Sequence, residues 1–472
     1  MKSYHTENPS LKGPWQICLI GLLLIFFFSG FLLRSDGGIN LDTILYVQNA
    51  EHLPALSTNI FPLGYSVGLK TFQLFLNDYF WSSKVLNLFC VVFILGFSWS
   101  RKFYFTETLV LLCLKVGIGL WSFSFSEPLF LSILYYQFYL LHQHFENQTQ
   151  DRFWPIKLSL AMLALLLVRH TGIFIFFGYG TFLAFLFWKR RKVIFKENYF
   201  RFILISGFLT ILYLGWNWFF FHSFFGENHR GAPDIFSNEA YWRHLFLNFK
   251  GAISAWNPLY SIVLQHNDNP AYWPIEWGIF LLDVSIAIGF CLFFIRQFKI
   301  LSAFNQLLLW LGFAYLGLLF FSSLQAGIEI LNNRLLASVS FCFFFPFLII
   351  FLKIYPEKKP FLFKIALFSL VFNFVFLVKN PSNYLAIRAN TIHFLETHPN
   401  AKFFFIDKDE TPETVYRLPF IRKEFRYKHD VLKPSYINRH SLFILKPDLI
   451  EIEKLEPEMK KQEVILNSEV QN

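Results

Sequence analysis

Side chains that could carry out acid–base chemistry lie where the long apolar runs of this sequence end. Asp36 and Asp42 come shortly after the first run, and either carboxylate could deprotonate or orient a hydroxyl group. They could equally be solvated loop residues, with Asp42 capping the apolar stretch that follows it. Glu127 stands before Pro128, where it either serves a site or favours the positive end of a helix dipole.

Two arginines occupy similar positions farther along the chain. Arg169 is followed by His170, and Arg334 comes after Glu329 and Asn333 in a short polar segment. A guanidinium group there can bind a phosphate through two parallel hydrogen bonds, or it can reach ordinary lipid phosphate. His170 could carry a proton, although a single histidine is more often a structural hydrogen-bonding residue.

The composition shows which kind of protein must position these side chains. The chain has 472 residues, of which 55% are hydrophobic and 16% are charged. Soluble domains contain about 25% charged residues, and disordered chains lack this much apolar side chain. A nucleic-acid binder is disfavoured despite the net charge of +10, because the basic residues lie in short loops between apolar runs. The five cysteines lie within apolar runs and indicate no disulfide framework. The sequence predicts an all-α polytopic membrane protein.

Eleven apolar runs have roughly the length that a spanning helix needs. We predict spans at about 15–33, 84–100, 106–125, 128–144, 155–169, 172–188, 202–221, 276–295, 303–322, 335–354 and 361–378. The strongly basic short loops all fall on one side of this arrangement. The positive-inside rule therefore places the N-terminus in the cytoplasm and the C-terminus outside. The lack of cysteines in the outer loops agrees with a bacterial inner membrane.

Two regions follow from this pattern. Residues 1–379 are predicted to form the membrane domain, with outer loops at about 34–83 and 222–275. The first loop contains short amphipathic stretches, and the second is rich in aromatic residues, as expected for an interfacial lid. Residues 380–472 are predicted to form a small α/β domain outside the bilayer.

Alternation of the spans brings the candidate acids and arginines to the outer membrane face. Transporters usually bury ionisable groups near the bilayer midplane, where Lys115 is the main exception in this chain. Acids beside phosphate-binding arginines on one membrane face suit a transfer reaction on a lipid-linked substrate.

The order of these motifs resembles that of the GT-C superfamily of membrane glycosyltransferases, which includes protein O-mannosyltransferases and the aminoarabinose transferase that modifies lipid A. The segments that carry the resemblance are Asp42 to Tyr46, Pro62 to Tyr65, Ser126 to Leu129, Arg169 to Ile173 and Arg334 to Ala337. The chain departs from the pattern where Thr43 replaces the usual second acid. It departs again after Arg334, where the usual Tyr and Pro are missing.

The resemblance implies a GT-C-like fold and an inverting transfer of sugar from a polyprenyl-phosphate donor to a glycan, lipid or protein acceptor. It implies Asp42 as the base, with Asp36 as the competing candidate, and Glu127 as an orienting acid. The candidates for binding the donor phosphate are Arg169, Arg334 and His170, and the candidates for binding substrates are Tyr46, Tyr65, Glu329 and Asn333. A divalent cation, Mg²⁺ or Mn²⁺, is compatible with Asp42 and Glu127 as oxygen ligands.

Other functions fit the same layout. A polymerase or ligase of envelope polysaccharide would use arginines in large outer loops, and Arg230 and Arg243 keep that interpretation open. A flippase for lipid-linked saccharides would need charges through the midplane. An inactive scaffold that keeps the fold is a third alternative.

Overall fold

The computed structural model describes most of the membrane domain. The described residues are 13–34, 37–39, 41–54, 59–146, 151–188, 193–226, 238–260, 273–325, 330–378, 381–386 and 388–389, together with 425–426 and 469–470. Apart from residues 381–386, 388–389 and the two short strands, the predicted α/β domain lies outside them. The strands Phe425–Arg426 (β1) and Glu469–Val470 (β2) pair antiparallel.

Helices form nearly all of the described structure. In chain order they are α1 Pro14–Leu32, α2 Leu41–His52, α3 Leu63–Leu76, α4 Tyr79–Ser100, α5 Phe105–Cys113, α6 Lys115–Trp121, α7 Glu127–Phe145, α8 Trp154–Val168, α9 Gly172–Trp188, α10 Val193–Phe221, α11 Asn238–Ser254, α12 Trp273–Arg296, α13 Ala303–Gln325, α14 Ala337–Ile354 and α15 Lys359–Leu377. Short 3-10 turns at Phe298–Ile300 and Pro356–Lys358 precede α13 and α15. Within the described residues, seven helical segments are long and apolar enough to cross a membrane. The chain is therefore an α-helical integral membrane protein.

Each predicted span coincides with helix, but the third one is interrupted. Leu114 is extended and separates α5 from α6. The break is tolerated because the backbone N–H of Lys115 donates to the carbonyl of Pro258, at 2.9 Å. Another part of the chain thus replaces the helical hydrogen bond, as apolar surroundings require. The second predicted loop also contains a helix, α11.

The amphipathic stretches of the first loop form α2 and α3, which end in a sharp corner. Asn77 adopts a left-handed conformation after α3, with φ of 53°, a conformation that asparagine tolerates. Asp78 then caps α4, because its carboxylate accepts hydrogen bonds from the backbone N–H groups of Phe80 and Trp81. This corner turns the chain from the loop into the bundle.

The helix ends show which of them share a membrane face. The backbone N–H of Ser382, after α15, donates to the carbonyl of Leu33, after α1, at 2.8 Å. Arg388 forms an ion pair with Asp78 at the start of α4. We call the face that holds these residues the first-loop face. On it α1 and α15 end and α4 begins, so α1 and α15 run in the same direction.

The core is centred on α14. Every residue from Ala337 to Pro346 is buried, including a run of aromatic side chains. Trp256 stacks on Phe343 with ring centroids 4.0 Å apart. By contrast α10 and α12 expose most of their apolar residues, as helices that face lipid do. The packed centre therefore lies among α4 to α9, α13 and α14.

Candidate functional site

Four separate chain segments bring charged side chains together on the first-loop face. Asp42 lies in the first turn of α2, and Glu127 begins α7. Arg169 follows the last residue of α8, and Arg334 lies in the turn before α14. Glu127, Arg169 and Arg334 stand at helix ends because the apolar runs that they border must stop at the membrane surface.

Their side chains form a continuous row of alternating charge. Arg334 pairs with Asp42 through Nη1, and its Nε lies 3.6 Å from Glu127 Oε1. Glu127 in turn pairs with Arg169. The side chain of Glu127 is 5% exposed and that of Asp42 is 26% exposed, so Asp42 is the more accessible carboxylate. We call these four residues the charge row.

Two hydroxyl groups support one end of this row. The Tyr46 hydroxyl donates to Ser126 Oγ at 2.8 Å, and Arg169 Nη1 donates to the same oxygen at 3.2 Å. Tyr46 packs against the rings of Phe61 and Tyr65, with centroids 4.7 and 4.9 Å away. Burial raises the pKa of Tyr46 above its ordinary value, so its hydroxyl remains a donor at physiological pH.

Both guanidinium groups keep their charge although the side chains of Arg169 and Arg334 are only 15% and 14% exposed. Burial alone would lower the pKa of Arg169, but the nearby carboxylates, Glu127 first, raise it. The same balance raises the pKa of Arg334, where Asp42 contributes most among the carboxylates. Each buried charge therefore has a partner of opposite sign, the condition under which such charges are stable.

An aromatic platform lies under Arg334. Its guanidinium carbon is 5.0 Å from the centroid of Phe125, which stacks on Phe123 at 5.0 Å with an interplanar angle of 3°. Arg34 lies over the Phe123 ring at 4.5 Å. Cation–π contacts of this kind hold a planar guanidinium in a fixed orientation.

The remaining predicted site residues have different surroundings. His170 is buried, with Nε2 2.8 Å from the carbonyl of Asn59 and Nδ1 3.4 Å from the Tyr213 hydroxyl. Asn333 donates to the carbonyl of Lys115 at 3.4 Å. Tyr65 is fully buried beneath Tyr46. Asp36, Glu329 and Arg230 lie outside the described residues.

Two polar residues beside the charge row carry no clear signal in the sequence. In the sequence, Ser126 stands out only because Glu127 follows it. In the structure, its Oγ accepts hydrogen bonds from the Tyr46 hydroxyl and from Arg169 Nη1. Lys84 is buried, and it donates to the carbonyl of Ser122 at 2.8 Å and to Ser124 Oγ at 2.9 Å. A lysine at the start of an apolar run is ordinarily a membrane-boundary residue. The position of Lys84 in the sequence therefore does not indicate that its side chain is buried beside a site.

The described residues show no cluster of metal-ligand side chains. Nowhere in the described ranges do three His, Cys, Asp or Glu side chains come together in a way that could hold an ion. Asp42 and Glu127 both lie against the guanidinium group of Arg334. A divalent cation held by Asp42 and Glu127 stays a prediction.

No family model, curated protein or solved structure matches this chain. The function must therefore be argued from the charge row and its surroundings.

Proposed function

We propose that this chain is a GT-C-type membrane glycosyltransferase that moves a sugar from a polyprenyl-phosphate donor to a glycan, lipid or protein acceptor. The observation that carries the proposal is the charge row, in which four distant chain segments supply two carboxylates and two arginines to one place. Such a row combines a candidate base with cations for a leaving phosphate.

In the proposed reaction an acceptor hydroxyl attacks the anomeric carbon of the donor. Its proton passes to the carboxylate of Asp42, the most exposed acid of the row. The bond from the anomeric carbon to the phosphate oxygen breaks, and polyprenyl phosphate leaves with the bonding electron pair. Because the two groups lie on opposite faces of the sugar, the anomeric configuration is inverted.

Arg169 and Arg334 stabilise the charge that develops on the leaving phosphate. A guanidinium has five N–H donors, so Arg334 can remain paired with Asp42 and still donate to a phosphate oxygen. One well-placed donor of this kind lowers the barrier by roughly 3–4 kcal/mol. Glu127 lies against both arginines, where it offsets their mutual repulsion and orients them.

The proposed topology has eleven spans, with the N-terminus in the cytoplasm and the first-loop face outside a bacterial inner membrane. The contact between Ser382 and Leu33 supports an odd number of spans, because α1 and α15 end on the same face. In this topology residues 380–472 form a domain outside the bilayer.

The function is tested by a mass profile of envelope glycans from a deletion strain. We expect the deletion to lose one sugar mass and the wild-type gene to restore it. Asp42→Asn should reduce the restored product by about 10²- to 10⁴-fold, the contribution of a general base. Asp78→Asn is the matched control, since it is a carboxylate on the same face whose capping oxygen asparagine retains.

Other outcomes would contradict the proposal in distinct ways. Full restoration by Asp42→Asn would remove Asp42 from the role of base and transfer that role to Asp36. Shortened glycan chains in the deletion strain would favour a polymerase. Accumulation of intact lipid-linked glycans would favour a ligase or a flippase.

A further inference from the structure

The turn that carries Arg334 is attached to a helix of the second loop. Within the turn, Asn332 Oδ1 accepts hydrogen bonds from the backbone N–H groups of Arg334, at 3.0 Å, and Leu335, at 3.2 Å. The start of the turn is fixed from outside, because the N–H of Leu331 donates to Asn248 Oδ1 of α11 at 2.9 Å. Leu331 and Asn248 are both fully buried.

A glycine permits this close approach. Gly251 lies one helical turn after Asn248, on the same side of α11. A Cβ atom at Gly251 would stand 2.1 Å from the carbonyl oxygen of Leu331 and 2.9 Å from its carbon. Both obstacles are backbone atoms, so a larger residue would push α11 and the turn apart. Asn248 and Gly251 thus both contact Leu331, three positions before Arg334. We call these two contacts the grip on Leu331.

Other bonds fix α11 to the bundle independently of this grip. His244 Nε2 lies 2.9 Å from the carbonyl of Ser323 in α13. At the C-terminal end of the helix, Lys115 Nζ donates to the carbonyl of Ser254 at 2.7 Å. Next to it, Ser340 Oγ donates to the carbonyl of Ala255 at 2.9 Å. The helix is therefore a fixed support, and its contact with Leu331 can be removed without detaching it.

The opposite side of α11 is aromatic and packs partly against α12, where the rings of Phe246 and Trp277 have centroids 5.8 Å apart. Trp242, Phe246 and Phe249 are exposed there, 64% in the case of Trp242. One side of α11 thus presents an aromatic surface in the second loop. The other side contacts Leu331 in the turn that carries Arg334.

We infer that Asn248 and Gly251 are positioning residues that hold Arg334 in the charge row, so that α11 connects the second loop to the site. This inference rests on the proposed function where it concerns catalysis. Where it concerns the position of Arg334, it can be tested without any assay of transfer.

The first test measures how fast phenylglyoxal modifies Arg334 in the purified full-length protein, followed by mass spectrometry of the peptide. In the wild type the Arg334 side chain is 14% exposed and paired with Asp42, so modification should be slow. Asn248→Leu removes the acceptor for Leu331 at similar volume. We expect it to speed modification about three- to tenfold, as the loss of one ordinary hydrogen bond predicts.

His244→Leu is the matched control, because it removes a bond between α11 and α13 and leaves the grip on Leu331 intact. It should leave the rate at Arg334 unchanged. An equal rate in wild type and in folded Asn248→Leu would overturn the inference, as would an equal increase in His244→Leu.

Gly251→Ala supplies a second variant with a different physical cause. If both residues act through Leu331, the double variant Asn248→Leu with Gly251→Ala should be no faster than the stronger single variant. Fully multiplied effects would contradict a shared grip. If Gly251→Ala does not fold, Asn248→Leu decides the question alone.

The catalytic part is tested by kinetics once a donor is known. A displaced Arg334 should lower kcat more than it raises KM, because the leaving-group charge develops only in the transition state. If the modification rates behave as expected but the wild type transfers no sugar, the proposed function fails while the positioning of Arg334 stands.

Discussion

Ser126 shows how one small side chain can organise a charged site. Its oxygen lies between the Tyr46 hydroxyl and Nη1 of Arg169, and it immediately precedes Glu127. Two neighbouring residues thus bind Arg169: Glu127 through an ion pair and Ser126 through a hydrogen bond. A buried ion pair is stable only when the remaining donors also find partners, and Ser126 provides one of them.

We expect Ser126→Ala and Tyr46→Phe to be coupled. Ser126→Ala leaves the buried Tyr46 hydroxyl without this acceptor and should destabilise the protein by about 1–3 kcal/mol. The double variant should be more stable than the sum of the single effects predicts, by about 1 kcal/mol. Thermal unfolding of the four proteins in detergent measures this coupling. Strict additivity would show that the hydrogen bond contributes nothing to stability.

At the scale of elements, close packing of α3 against α8 sets the distance between the first loop and Arg169. Gly64 lies in the first turn of α3, where a Cβ atom would stand 2.7 Å from the carbonyl oxygen of Leu167. Leu167 comes two residues before Arg169, and Tyr65 directly follows Gly64. The segment Pro62 to Tyr65 therefore has a geometric reason to contain glycine, since Gly64 lets α3 and α8 come into contact.

We expect Gly64→Ala to be destabilising and to reduce activity. The added methyl group must separate α3 from the backbone of α8, a strain that typically costs about 1–3 kcal/mol. Gly96→Ala in α4 is the control, because nothing lies within 4 Å of its added Cβ. It should be neutral or stabilise the helix by about 0.5–1 kcal/mol. Equal unfolding temperatures for the two variants would show that the α3–α8 approach is adaptable.

At the scale of the whole molecule, the sequence predicted what depends on local pattern. The length of the apolar runs predicted a helix at each span, and the structure has helix at each of them. The rule works because a membrane protein must satisfy its backbone polar groups within each crossing. The ends of those runs identified Asp42, Glu127, Arg169 and Arg334, which the structure brings together.

What depends on distant contacts could not be predicted. The partners Asp42 and Arg334 are 292 residues apart, and no local signal indicates their pairing. The break at Leu114 exists because Pro258 supplies a carbonyl from another segment. Gly117 then allows the turn, since a Cβ there would lie 1.9 Å from the carbonyl oxygen of Leu112. A hydropathy pattern contains no information about these contacts.

The orientation of the whole molecule is open to a direct test with cysteine labelling. Leu385 and Lys358 are exposed residues that flank α15, one on the first-loop face and one at its opposite end. Each is replaced by cysteine in a protein whose five native cysteines have been changed to serine. We expect a membrane-impermeant maleimide to label Leu385→Cys in intact spheroplasts and Lys358→Cys only after permeabilisation. This follows because basic short loops stay in the cytoplasm.

Arg152→Cys, at the exposed turn between α7 and α8, tests the same orientation independently of α15 and should behave like Lys358→Cys. The reverse pattern would place the charge row on the cytoplasmic side. A transfer at the outer face would then be excluded, and the proposed function would fail together with the topology. Labelling of Leu385→Cys and Lys358→Cys from the same side would mean that α15 does not cross the bilayer. The contact between Ser382 and Leu33 would then no longer support an odd number of spans.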